Sequence, residues 1–351
     1  MQLLKNMDVK KRSRILAIDL GFSSVKVAYY NEEGVLVLEK YISAIAKVPE
    51  PEILEDNDDT VFKLGLEYYV LSSAALKVAR SYQLSLESFQ GLCQVYPAWI
   101  SYLLKKYGGV ERFDHVAIGL SMAYADKADD LLNTLYDTLM IDKPGYFMLF
   151  SQGSAAKKTY QTCALNIKET TTRNDYKMKN YIICDGGFET IDICNVVGNA
   201  VAGATVGLEN TGVIMVAYDI QDYLYKNYEI RESIKGCQDI LDNEGIFIRR
   251  GRRYDISEVV DSLIQKYLTN VLKLLEDRFN EFLDAAEGIL MCGGISYLFK
   301  KALKVDSFVK EVEKHFPVSF LHFPTEDAEY YNVFSYLKVA ESLLEKEKKK
   351  K

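Results

Sequence analysis

Hydrophobic and polar positions along the 351-residue chain fall into two kinds of pattern. Short apolar runs bounded by turn residues predict buried strands, and longer stretches with apolar residues three and four apart predict helices. The first cluster reads as strand 14–19 (RILAID), a turn over 20–24, strand 25–30 (VKVAYY), a turn at 31–34 and strand 35–40. A second cluster repeats the layout: strand 180–185 (NYIICD), a turn over 186–190, strand 191–196 (IDICNV), a turn at 198–199 and a weaker strand 200–204. Equivalent strands end in Asp19 and Asp185, about one domain's length apart, so the self-similarity predicts two related domains.

Between and after the clusters the pattern predicts a hairpin over 61–72, a helical stretch from 74 to 107, a strand at 115–119 and an amphipathic helix over 126–139. The apolar spacing of 259–283 predicts a long helix. A short buried strand at 288–292 ends in Gly293-Gly294 and a helix follows over 295–303. Strands alternating with helices make the class α/β. The acidic stretch 49–59 is expected to be a loop.

Composition narrows the function. The 48% hydrophobic and 26% charged content is that of a globular protein. No apolar run approaches the ~20 residues of a membrane span, and the first residues carry no apolar signal region, so a cytoplasmic location with no membrane partner is expected. A net charge of −7 argues against a direct nucleic-acid footprint. Two basic spots depart from that average: the arginines of 249–253, a solvated hairpin or a partner surface, and the lysine-rich end from 345, expected to be a solvated helix end. The six cysteines include no Cys-x-x-Cys pair and the three histidines no metal-ligand spacing, which argues against a zinc site or a histidine-based triad.

Four motifs carry candidate chemistry. In Asp19-Leu20-Gly21-Phe22-Ser23-Ser24-Val25-Lys26, a glycine just past the strand end lets the backbone aim N–H groups at phosphate. Ser23 and Ser24 offer hydroxyls and Lys26 a cation. Asp19 repels phosphate, so a hydrated Mg²⁺ is the natural bridge. Asp185-Gly186-Gly187-Phe188-Glu189-Thr190-Ile191-Asp192 repeats the logic, with Asp185 on the metal side, Thr190 as hydroxyl and Asp192 bracing the loop. Leu290-Met291-Cys292-Gly293-Gly294-Ile295 either lets a flat ring lie against the backbone or packs strand tightly on helix. In Ser151-Gln152-Gly153-Ser154, a loop opening a helix, Gln152 is suited to orient an attacking water. Taken singly each motif is short; the first two at mirrored positions suit a clamp on one triphosphate.

In this order and spacing the four motifs resemble those of the actin-like ATPase superfamily, which includes sugar kinases, Hsp70 and FtsA. Asp19–Lys26 is similar to its phosphate-1 motif, 151–156 to its first connecting motif, 185–192 to phosphate-2 and 290–295 to the adenosine motif. Within the superfamily the chain most resembles ParM-type bacterial actins, through the hairpin region 61–75, the strand end Ile118-Gly119-Leu120-Ser121 and the loop from Gly207 to Val213. Phe22 stands where a small or polar residue is common, and Ser151 and Gly153 replace the usual prolines around Gln152.

The resemblance implies an actin-like fold of two ribonuclease-H-like α/β domains flanking a nucleotide cleft, domain I over 1–178 plus 318–351 and domain II over 179–317. It implies ATP or GTP with Mg²⁺ as cofactors, and Gln152, Asp185 and Asp19 as catalytic residues. Asp19 and Asp185 would serve the metal through water. Gly21, Phe22, Ser23, Ser24, Lys26, Gly186, Gly187, Thr190, Gly207, Gly293, Gly294 and Ile295 would bind the nucleotide. It further implies hydrolysis coupled to assembly into filaments, plasmid DNA segregation and a DNA-binding adaptor protein. The alternatives are a small-molecule kinase of the same fold and a phage or cell-structure filament. An FtsA-like membrane adaptor needs an apolar face on a terminal helix, and the lysine-rich end does not supply one.

Overall fold

The computed structural model describes residues 13–49, 61–78, 80–84, 89–160, 178–198, 200–203, 205–323 and 328–349. The chain divides into two compact units, Met1–Thr170 with Tyr330–Lys351, and Thr171–Glu329.

The first unit is built on a sheet of order β3-β2-β1-β7-β8. Strands β1 (Ile15–Leu20), β2 (Ser24–Tyr30) and β3 (Leu36–Ile42) form an antiparallel meander. A small separate sheet holds β4 (Ile45–Val48), β5 (Val61–Leu64) and β6 (Glu67–Leu71). β7 (His115–Leu120) lies parallel to β1, and β8 (Phe147–Ser151) parallel to β7. β1 is buried at every position, and its apolar run Ile15–Ile18 is that of a strand covered on both faces. The core gathers β1, β2 and β7 residues with Val95, Trp99 and Leu103, which all lie on one helix.

The helical stretch expected over 74–107 contains, among the described residues, the end of one short helix, a 3₁₀ turn at Arg80–Tyr82 and one long helix. A short helix, α1 (Ser72–Ala75), opens on Ser72 at φ 58°, and the long helix is α2 (Phe89–Lys106). Gln83 breaks the run: it bridges to Ala46 of the small sheet while its amide donates to the carbonyls of Ala75 and Val78. Pairing with a sheet edge outcompetes local helical spacing here. Helix α3 (Ala128–Leu139) follows β7 after a 3₁₀ turn.

In the second unit β9 (Tyr181–Gly186), β10 (Ile191–Val197) and β11 (Ala200–Val201) form the antiparallel part, with β12 (Val206–Leu208) also on β10. Helices α4 (Ile214–Tyr228) and α5 (Ile234–Asp242) come next, then a hairpin of β13 (Ile246–Arg249) and β14 (Arg252–Asp255). That hairpin carries the arginine cluster, with Arg250 and Gly251 both at positive φ in its turn and Phe247 stacked on Tyr254. Helix α6 (Ser257–Leu283) starts two residues before the apolar spacing does, and just ahead of it the Asp255 carboxylate accepts from the Ser257 N–H at 3.1 Å and from its hydroxyl at 2.7 Å. β15 (Ile289–Cys292) lies parallel to β9. Helices α7 (Gly293–Ala302) and α8 (Asp306–Val312) follow, and β16 (Leu321–His322) pairs parallel with β15.

Read along the path β11-β10-β9-β15-β16, this sheet has the same order and directions as the first. The duplication is one of topology as well as of motif. The chain stays with the second unit beyond residue 318, because Phe316 and Leu321 belong to that unit's core. Helix α9 (Tyr331–Lys348) returns to the first unit and packs on β1 and β7. The expected loop at 49–59 lies, apart from Pro49, outside the described residues. Among the described residues no helix is long and apolar enough to cross a membrane.

Candidate functional site

Both units end their first strand in the same way. In the first, Asp19 faces Lys26 across the β1–β2 register and the Gly21 N–H donates to the Ser24 carbonyl at 3.0 Å. In the second, Asp185 faces Asp192 and the Gly187 N–H donates to the Thr190 carbonyl at 2.9 Å. Each turn reads Asp-x-Gly-Phe-x-Ser/Thr. The aspartates are buried, Asp19 to 3% exposure and Asp185 to 7%, and Ser24 and Thr190 are buried beside them. Two carboxylates enclosed at this depth at equivalent strand ends need charged or hydrogen-bonding partners, since an unpaired buried charge is costly.

Asp19 has three. Directly opposed residues of an antiparallel pair share one face of the sheet, which aims Lys26 at it, Nζ to Oδ2 at 3.3 Å. The side-chain amide of Gln152 donates to Oδ1 at 3.0 Å and the Tyr336 hydroxyl to the same oxygen at 3.3 Å. Gln152 stands just after β8, where its own N–H continues the ladder to the Leu120 carbonyl at 2.9 Å, so the backbone at the start of this turn is anchored. Lys26, Asp19 and Gln152, three residues singled out from sequence, thus form one cluster.

The rest of the first turn is braced from elsewhere. Phe22 is half-buried against the unit's core, and its carbonyl accepts from the Ser43 hydroxyl. The Ser43 N–H reaches the Ser23 carbonyl at 3.3 Å, and the Trp99 indole donates to the Ser43 carbonyl at 3.4 Å. Ser43 and Tyr336 are site-supporting residues that sequence reasoning missed. Neither lies in a motif; Ser43 carries no local signal, and Tyr336 is one aromatic on a helix that already has an apolar face.

In the second unit the turn is held by the entry to α4. The N–H groups of Thr211 and Gly212 donate to the Glu189 carbonyl at 3.2 and 3.0 Å, that of Val213 to Gly187 at 3.1 Å and that of Ile214 to Phe188 at 2.6 Å. Ile214 is the first residue of α4, whose N–H a helix start leaves unpaired, and the other three donors lie just ahead of it, so the turn's carbonyls hold the entry to the helix. A Cβ on Gly212 would stand 2.5 Å from the Phe188 carbonyl oxygen, so this glycine permits the contact. Gly207 lies instead within β12, opposite Asp192.

Gly293 bridges to Gly186 beside β9 and takes φ 68°, with the Asp185 carboxylate and the Gly186 carbonyl where a side chain would be. Gly294 follows, and Ile295 is fully buried, its side chain filling the space over Gly186. This places Asp185, Gly186, Gly187, Thr190, Gly293 and Gly294 together, with Ile295 inside the core beneath them. Burial pushes the flanking Cys184 and Cys292 thiols up, and the Asp185 charge adds to both. These cysteines are protonated core residues.

Mg²⁺ fits this donor set. It keeps most of its water shell and needs as few as one carboxylate together with substrate phosphates, and each turn taken by itself offers a buried carboxylate with hydroxyl and backbone groups next to it. Among the described residues no group of three or more His, Cys, Asp or Glu forms an all-protein cage.

Residues 183–305 match the family model of the C-terminal region of the archaeal MreB-like actin homologue. Similar solved structures span nearly the whole chain. A 15-stranded ParM filament from Clostridium botulinum is 14% identical with a TM-score of 0.69, covering 95% of this chain and 100% of that one. An archaeal actin homologue in complex with ADP is 15% identical with a TM-score of 0.64, covering 93% and 99%. ParM from Bacillus thuringiensis with ATP is 14% identical with a TM-score of 0.55, covering 96% and 100%. No curated protein sequence matches. The chain has the actin-like fold shared by ParM-type and archaeal actins, as the order of its motifs led us to expect.

Proposed function

We propose that this actin-like chain binds ATP or GTP with Mg²⁺, hydrolyses it and assembles with copies of itself into filaments. The observation that carries this reading is the duplicated Asp-x-Gly-Phe-x-Ser/Thr turn, with Gln152 held on Asp19 in the first copy. Fold likeness to a ParM filament and to nucleotide-bound relatives supports it.

Each residue has a task in this reading. The turn at Gly21 and the hydroxyls of Ser23 and Ser24 bind phosphate oxygens, as do Gly186, Gly187 and Thr190 of the second turn. Lys26 supplies a fixed cation, and each hydrogen bond to a charged oxygen contributes about 1.5–3 kcal/mol. Asp19 and Asp185 would hold Mg²⁺ through water, and the ion when bound neutralises phosphate charge. Gln152, released from Asp19, orients the attacking water. Donors fixed in advance around the γ-phosphate stabilise charge as it develops. Assembly follows if the triphosphate favours the assembling conformation over the other. A role in plasmid segregation is the finer proposal. With a net charge of −7 the chain would reach DNA through a basic adaptor protein.

The test is phosphate release and sedimentation with each nucleotide and Mg²⁺, for wild type and Asp185→Ala. We expect the wild type to turn over and pellet only with triphosphate, and the variant to keep its fold and lose hydrolysis. Undiminished turnover by Asp185→Ala sinks the assignment of that carboxylate; a wild type that never pellets sinks the filament.

A further inference from the structure

Asp19 and Tyr336 are 317 residues apart in sequence, yet the tyrosine hydroxyl lies 3.3 Å from Asp19 Oδ1. Tyr336 sits on α9 and is fully buried. Its ring stacks on Phe150 of β8, two residues before Gln152, with centroids 6.0 Å apart and planes 10° from parallel. It also lies directly on Gly119 of β7, where a Cβ would come within 2.1 Å of the hydroxyl oxygen. Tyr96, on α2, in turn donates to the Gly119 carbonyl at 2.8 Å. The hydroxyl that α9 brings to the oxygen Gln152 also uses is thus held in place by packing against β7 and β8.

Asp19 Oδ1 accepts from two donors that are held in different ways. Gln152 ends a side chain with three rotatable bonds, on a turn that includes Gly153 at φ 71°. Tyr336 is wedged between Phe150 and Gly119. When Gln152 turns from Asp19 toward a water, the carboxylate keeps the tyrosine donor and its orientation.

We propose that Tyr336 is a positioning residue for hydrolysis, holding the Asp19 carboxylate in place through the exchange of Gln152 from carboxylate to water. This rests on the nucleotide-hydrolysing role proposed above. It also makes the C-terminal helix a working part of the site and gives Gly119 a reason: any side chain there would push the hydroxyl off Asp19.

The test uses the full chain with Tyr336→Phe, which keeps the stacked ring and removes only the hydroxyl, and Tyr336→Leu, which removes both. Melting temperature, Kd for a fluorescent nucleotide, and kcat and KM for phosphate release are measured for each. For Tyr336→Phe we expect kcat to fall about tenfold, as loss of one hydrogen bond to a charged group implies. Its KM and Kd should stay close to wild type, its melting temperature should fall by only the few degrees that one lost buried hydrogen bond costs, and kcat is measured well below it. Tyr336→Leu should lose stability as well. A Tyr336→Phe enzyme with wild-type kcat, or one whose kcat falls only in step with its melting temperature, overturns the positioning role and leaves the hydrolytic reading standing. A folded wild type that binds nucleotide but releases no phosphate overturns both, so the two failures are distinguishable.

Discussion

Two glycines of the second unit separate the cost of a backbone conformation from the cost of crowding Asp185. Gly251, in the arginine hairpin, has φ 76° and Gly293 has φ 68°. Alanine at either position enters left-handed space, at a cost of about 1 kcal/mol. At Gly251 nothing lies within 4 Å of the new Cβ, so that is the whole effect. At Gly293 the Cβ would meet both Asp185 Oδ1 and the Gly186 carbonyl oxygen at 2.6 Å. Gly186 is bridged to Gly293 and Asp185 is buried, so neither has room to retreat. Overpacking of this kind adds about 1–3 kcal/mol.

The expected totals are thus about 1 kcal/mol for Gly251→Ala and about 2–4 kcal/mol for Gly293→Ala. In a unit of this size each kcal/mol moves the melting temperature by about 2–4 °C. Differential scanning fluorimetry should show a loss of about 2–4 °C for the first and roughly 5–15 °C for the second. Phosphate release should be unchanged by Gly251→Ala and depressed by Gly293→Ala even well below its melting temperature, because the added methyl displaces the Asp185 carboxylate. Equal melting losses, or wild-type turnover in Gly293→Ala, would refute the placement of Asp185 against this turn.

Two further outcomes follow from the same geometry. Gln152→Ala should bind a fluorescent nucleotide within about twofold of wild type while phosphate release falls about 10²-fold or more, the scale of an acid–base or positioning group; an equal loss in both would make Gln152 a binding residue. Burial raises the Cys184 and Cys292 thiols above their ordinary value of about 9 and pushes Cys237 up to about 12. Above pH 9 the unfolded chain gives up protons that the native state keeps. The stability these thiols contribute is therefore full below about pH 9 and lost as pH climbs toward the raised folded values, by up to about 1.4 kcal/mol per pH unit for each group. Thermal melts should hold to about pH 9 and then fall, with Cys184 and Cys292 unreactive toward a maleimide until unfolding. Rapid labelling of the native protein at those positions would contradict their burial.

By itself the sequence determined the local grammar of this protein. Apolar runs ending in Asp19 and Asp185 fixed two strands, glycine two residues on fixed two turns, and repetition of the pattern made the chain a duplicated α/β protein. These signals are legible because strand periodicity and turn chemistry act over a few neighbouring residues. Gln152 was legible only through its place in a series of motifs; that its amide lies on Asp19 was not.

Tertiary structure decided what depends on residues distant along the chain. That the helical stretch of 74–107 is interrupted at Gln83 was settled by its bridge to Ala46 of β4. That Ser43 braces the first turn, that Gly212 seats α4 on the second and that Tyr336 reaches Asp19 from the last helix were settled by packing. A buried carboxylate must find donors wherever the fold brings them. At Asp19 those donors come from β2, from the turn after β8 and from α9, and no window along the sequence contains all three.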